Sequence, residues 1–205
     1  MKYALKEWNS TIEALGRGQI IAVWRKGGID DKPNVREPHQ SFSVDHNQFV
    51  LFPTFTHQGT NKIKEDFQFL LDGSNGPNKD NQVKVKYWAE VDETIQVEKI
   101  DQLLSVSPEL VNSSEHLVSS WNLYPNHKGK ILLLRVYSLV HSILVTNSNN
   151  YAGCKSWIEL NIDIPKSGSR PVLPFKEFSR KSRLVKALLE QPLELETAGA
   201  RVAIG

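Results

Sequence analysis

Cysteine is nearly absent from this chain, with Cys154 standing alone among 205 residues. One thiol closes no intrachain disulfide and builds no cysteine-rich zinc site, and it fits a reducing compartment. Long apolar runs are missing too. No stretch approaches the roughly 20 apolar residues of a membrane-spanning helix. The opening Met1-Lys2-Tyr3-Ala4-Leu5-Lys6-Glu7-Trp8 lacks the apolar core of a secretory signal. The expectation is a cytoplasmic protein with no membrane partner. Charge of one sign is scarce: 25 Lys and Arg against 23 Asp and Glu leave a formal +2, which admits a polyanion such as RNA or DNA without demanding one. The Gly-x-Ser-x-Gly elbow, His-Glu-x-x-His and Gly-x-Gly-x-x-Gly are absent, which sets aside the enzyme classes built on them.

Apolar residues make up 40% of the chain, with five Trp and eight Phe, enough for a packed body rather than a disordered one. Leu5, Trp8, Ile12 and Leu15 recur at helical spacing and predict a first helix closed by Gly16. A β-rich run at 19–24 follows, then a loop over 30–40 with Pro33 and Pro38. Strands are expected at 42–45 and 49–55, and a short helix around Ile63, Phe67, Leu70 and Leu71. An Asn/Gly/Pro-rich break at 73–82 divides residues 1–192 into halves, 1–72 and 83–192, of one domain. Strict alternation from Val83 to Val91 predicts a strand. Short helices are read at 100–104 and 114–121, a strand buried on both faces at 130–139, and a strand at 156–162. A final helix starts at Pro174 and stops at Pro192, leaving 193–205 as a loose tail. The fold class is α+β, with a mixed, strongly curved, barrel-like sheet and peripheral helices.

The densest polar signal lies in 42–58, where Asp45, His46, Gln48, Thr54, His57 and Gln58 interrupt a Phe/Leu-rich strand pattern. Proton carriers, amides and hydroxyls crowd a short strand region when several of them face one cleft; as separate residues they satisfy strand ends and cap turns. Asp45 with His57 makes a carboxylate–imidazole pair able to orient a water, and adding Glu7 or Glu13 makes an oxygen/nitrogen set for Mg²⁺. Arg25-Lys26-Gly27-Gly28 is no P-loop, lacking the Gly-Lys-Ser/Thr element. Its cations and glycines serve either a hairpin turn or an anion. Lys176, Arg180 and Arg183 fall on one helix stripe, suited to a phosphodiester backbone or to plain solvation. Lys84, Lys86 and Trp88 interleave cations with an aromatic ring, as single-strand binding surfaces do, unless Trp88 packs into the core. Arg135, inside an apolar strand, needs a partner, with Glu90 and Glu159 the nearest candidates.

Several of these segments carry a resemblance as a set. Leu5-Lys6-Glu7-Trp8, Arg25-Lys26-Gly27-Gly28-Ile29, Val44-Asp45-His46, Phe49-x-Leu51-Phe52-Pro53-Thr54-x-x-His57-Gln58, Trp88-Ala89-x-Val91, Leu134-Arg135-Val136-Tyr137-x-Leu139 and Gly153-Cys154-x-Ser156-Trp157 resemble a bacterial family catalogued as a domain of unknown function. The resemblance covers about residues 4 to 189 and implies no activity. The order of elements is also similar to PUA-like domains of the ASCH and EVE types, which implies a small curved barrel that grips RNA or modified bases. Residues 3–91 look like the core of PD-(D/E)xK nucleases as well. In that likeness Asp45 supplies the first carboxylate, but Thr56-His57-Gln58 offers neither the acid nor the lysine of the second strand.

The combined expectation is a non-catalytic nucleic-acid or nucleotide reader that needs no cofactor. Its ligand groups would be Arg25, Lys26, Asp45, His46, Thr54, His57, Gln58 and Trp88, with Lys176, Arg180 and Arg183 on the backbone. The alternative is a Mg²⁺-dependent nuclease or phosphodiesterase using Asp45, His57 and Glu13.

Overall fold

Strand β1 (Tyr3–Trp8) opens the chain where the sequence predicts a helix. The reason is burial on two sides. Ala4 and Leu5 are both fully buried, yet they pack into different apolar clusters, as successive residues of a strand do and those of a one-sided helix do not. Helix α1 (Asn9–Gly16) then buries Ile12, Ala14 and Leu15. It ends through Gly18, whose φ of +67° takes the left-handed role assigned to Gly16. Gly16 instead lies against the Tyr87 ring, where a Cβ would sit 2.2 Å from Cζ.

This computed structural model describes residues 1–26, 42–71, 76–123 and 127–191. Gly27, Gly28, the loop at 30–40, residues 73–75 of the 73–82 break, Pro192 and the tail 193–205 fall outside the described residues. Strand β2 (Ala22–Arg25), β3 (Gln48–Thr54), β4 (Gln82–Val97), β5 (Gly129–Thr146), β6 (Trp157–Glu159) and β7 (Arg170–Pro171) complete the sheet. Residues 42–45 are not a strand, and the 63–71 helix is a 3₁₀ segment, Glu65–Leu70. Helices α2 (Ile100–Ser105), α3 (Ser114–Asn122) and α4 (Phe175–Glu190) lie where the periodicity places them.

The strand order is β2-β5-β4-β3-β1-β6, with β7 on β5. Among the described residues only β1 and β3 pair in parallel; the other ladders are antiparallel. This corrects the expected barrel: the described residues form a mixed, seven-stranded sheet, neither closed nor strongly curved. Closure needs a backbone ladder between its first and last strands. Among the described residues none joins β2 to β6, which contribute only four and three residues. Register shifts in the long β4–β5 ladder, at Val85/Tyr87 and Val91/Glu93, are absorbed locally. The first breaks the alternation that would put Lys84, Lys86 and Trp88 on one face.

Both faces of the sheet are covered. In β5, Leu132 and Leu134 join one cluster, and Ile131 and Leu133 another, so this strand is buried on two sides. Arg135 sits directly across from Glu90 in the ladder. Its Nε–H nevertheless donates to the Tyr137 hydroxyl at 3.1 Å, and its guanidinium lies over Phe175 and Phe178. Aromatic faces and a phenol meet the charge in place of the expected carboxylate. Among the described residues no helix is long and apolar enough to cross a membrane.

Candidate functional site

Side chains, not a ladder, span the opening between β2 and the β1–β6 end of the sheet. Arg25, last residue of β2, donates from Nη1 to Glu7 Oε2 at 2.9 Å and from Nη2 to Ser156 Oγ at 2.6 Å. Glu7 is only 9% exposed, and its second oxygen accepts the Trp8 backbone N–H at 2.8 Å. The carboxylate is therefore held at both oxygens. Lys6 donates to the Tyr151 and Gly153 carbonyls at 2.6 and 2.7 Å, tying the 151–156 segment to β1. Thr54 Oγ1 donates to the Glu7 carbonyl at 3.2 Å, fixing the end of β3 beside the same strand.

These groups wall a cleft of about 360 Å³, inside the range of roughly 300–1,000 Å³ typical of small-ligand sites. Among the described residues, four cations line it (Lys6, Arg25, Lys26 and Lys155) against one carboxylate, Glu7. Planar groups join them. Trp8 and His116 lie 5.0 Å apart at 39°. Trp24 stacks on Trp121 and donates its indole N–H to Ser120 Oγ at 3.0 Å. Lys26 is buried, donates to the Trp121 carbonyl and lies over that ring. Burial pushes its ammonium below the usual lysine range. His116, on α3, is pushed down as well, first by burial and then by the Lys62 charge. His57, an exposed lining residue, takes a left-handed backbone with φ of +66°, uncommon for a residue with a side chain.

The structure brings together Glu7, Arg25, Lys26, Thr54 and His57 from the residues singled out in the sequence. It does not bring in the others. Asp45 accepts from Ser43 Oγ at 2.6 Å, and His46 stacks on Tyr3 at 3.7 Å. Gln58 accepts from the Ser10 N–H and hydroxyl, at 3.3 and 3.2 Å. Trp88 is buried and stacked on Tyr137 at 4.1 Å. Lys176, Arg180 and Arg183 are exposed on α4 and none lines the cleft. The nuclease centre is not assembled either. Glu13 pairs with Lys86 at 2.6 Å, Glu7 with Arg25, and Asp45 lies outside the cleft. Among the described residues no three His, Cys, Asp or Glu side chains stand close enough to hold a metal ion.

Lys6, Trp8, Trp24 and His116 line the cleft as well, without a ligand role in the sequence-based expectation. No local signal marks them: β1 and β2 are not neighbours in the sheet, and Glu7 and Arg25 meet only through their side chains.

Residues 4–183 match a family described as a domain of unknown function (DUF1802). Comparison with curated proteins gave no match. Among solved structures, ASCH from Zymomonas mobilis is similar at 12% identity and a TM-score of 0.44, over 89% of this chain and 94% of that one. Two point variants of the same protein match with TM-scores of 0.45, at 11% and 12% identity. They cover 89% of this chain in both cases, and 94% and 96% of their own.

Proposed function

We propose, for a chain that belongs to the DUF1802 family, that its cleft is a non-catalytic binding site for a nucleotide, free or as one unit of a nucleic acid. One observation carries this reading: Arg25 and Lys26 open into the same cleft as Trp8, Trp24 and His116. Cations attract a phosphate, and flat aromatic or imidazole faces stack a base of any identity. Thr54, Asn112 and Ser120 supply hydroxyl and amide groups for its polar edge. The ligand enters from the His57 side, with its phosphate toward Arg25 and Lys26. The α4 stripe has no part in this reading, because solvation alone accounts for exposed Lys and Arg on a helix face.

Titration with nucleoside monophosphates and the corresponding nucleosides, followed by tryptophan fluorescence, tests the reading. Monophosphates are expected to bind more tightly than nucleosides, with the difference shrinking as salt rises. No binding of any nucleotide at low salt would remove it.

The histidine gives the binding a pH signature. Without ligand, His116 binds a proton less readily in the folded chain than in the unfolded one, whose imidazole titrates at about 6.5. The unfolded chain therefore holds more protons, and this contribution to stability falls as pH drops below that value toward the folded one. The His116→Gln variant is expected to show a shallower loss of melting temperature between pH 7 and 5. An anion in the cleft reverses the balance at this residue by favouring the imidazolium. Monophosphate affinity should therefore rise as pH falls from 7.5 to 6, and rise less in His116→Gln.

A further inference from the structure

Behind the wall of the first cleft lies a second, of about 620 Å³, to which the reading above assigns nothing. The wall is shared at the level of single residues. Trp8 lines the first cleft and Asn9 the second; Thr54 and Thr56 line the first and Phe55 the second. Among the described residues, Arg17, Lys84 and Lys86 face into it against one carboxylate, Glu13, which Lys86 already pairs at 2.6 Å. Arg17 and Lys84 are exposed. The apolar component is also in the open: Phe69, on the 3₁₀ segment, is 46% exposed, and the Arg17 guanidinium lies over its ring at 5.3 Å.

We infer that this second cleft takes a neighbouring nucleotide of the same single strand, so that the preferred ligand is an oligonucleotide rather than a lone nucleotide. The inference rests on the nucleotide reading of the first cleft. Its independent support is the composition of the second: an exposed ring for a base, cations for the linking phosphates, and chain segments whose neighbouring residues line one cleft and the other. A chain that leaves one cleft over Thr54–Thr56 arrives in the other. Non-specific single-strand sites combine the same two ingredients, aromatic platforms and a cationic track. An acidic peptide would satisfy the cations but would leave Phe55 and Phe69 without a planar partner.

Uridine and adenosine monophosphates and their homopolymeric single-stranded dimers and trimers, titrated at fixed salt, separate the possibilities. The trimer is expected to bind at least about ten-fold more tightly than the monophosphate, the gain of one added stacked base. Arg17→Ala/Phe69→Ala should abolish that gain and leave the monophosphate affinity within about two-fold of the parent. A melting curve checks its fold, and Lys84→Ala, at an exposed strand position, provides a second variant with the same expected direction. A trimer that binds no tighter than a monophosphate overturns the inference and leaves the first cleft's reading standing. Trimer binding without monophosphate binding, lost in Arg17→Ala/Phe69→Ala, overturns the reading of the first cleft and keeps the second as a site. Displacement of the trimer by poly-glutamate at equal charge overturns a nucleic acid as the occupant.

Discussion

Arg25→Met is expected to lower stability by about 3–5 kcal/mol, the cost of leaving one member of a buried ion pair without the other, and to abolish nucleotide binding. The two side chains are 16% and 10% exposed, so water replaces little of what the guanidinium supplies. Glu7 would keep its contact with the Trp8 N–H but carry an unmatched charge beside Leu5. The Arg25–Ser156 Oγ hydrogen bond would go at the same stroke. The remedy follows from the charge. In Arg25→Met/Glu7→Gln, the amide oxygen still accepts from Trp8 and nothing charged is stranded. That double variant should recover more than half of the lost stability while binding stays absent. Urea denaturation of the two variants beside Glu7→Gln alone completes a double-mutant cycle. Equal stability of Arg25→Met and the double variant would mean that Glu7 is not the partner that matters.

Gly129→Val should damage the site from the far side of the core. At this first position of β5, a Cβ would lie 1.7 Å from Trp24 Cη2 and 2.4 Å from Cζ2 and Cζ3. No side chain fits without moving the indole, and overpacking of a filled core costs about 1–3 kcal/mol, occasionally more. Moving the indole also withdraws its N–H from Ser120 Oγ, a further loss of about 1 kcal/mol for an ordinary hydrogen bond. Since Trp24 lines the cleft, the variant should weaken nucleotide binding although residue 129 does not line it. Gly129→Ala should show the same two effects in smaller measure. Full nucleotide affinity in a destabilised Gly129→Val would show that the Trp24 ring takes no part in binding.

What the sequence makes legible depends on whether a signal is local. Alternation in 83–91 and the apolar run of 130–139 identify β4 and β5, because strand period and two-sided burial are written in consecutive residues. Helix α4 is legible from Pro174 and the spacing of Phe178, Val185 and Leu189. β1 is not, because Leu5, Trp8, Ile12 and Leu15 fit a helical spacing that spans what is in fact a strand followed by a helix; only the parallel pairing with β3, a contact some 45 residues away, decides between them. The open sheet is hidden for the same reason, since closure depends on whether distant short strands find each other. At the site, Arg25 and Lys26 attract notice through their adjacency, and Thr54 and His57 through the crowding of 42–58. That crowding has two causes. Asp45, His46 and Gln58 serve the loop around Ser43, the Tyr3 ring and the start of α1, while Thr54 and His57 face the cleft. Polar density alone does not separate these roles.

The most direct test of the nucleotide cleft is an amide and indole NMR titration of the ¹⁵N-labelled chain with a nucleoside monophosphate. The five tryptophans act as built-in reporters, with Trp8 and Trp24 lining the cleft and Trp88 sealed in the core on another face. Saturable shifts of the Trp8 and Trp24 indole resonances, with Trp88 unmoved and the response lost in Arg25→Met/Glu7→Gln, are the predicted result. An unchanged spectrum at millimolar nucleotide, or shifts confined to Trp88 and its surroundings, would contradict it.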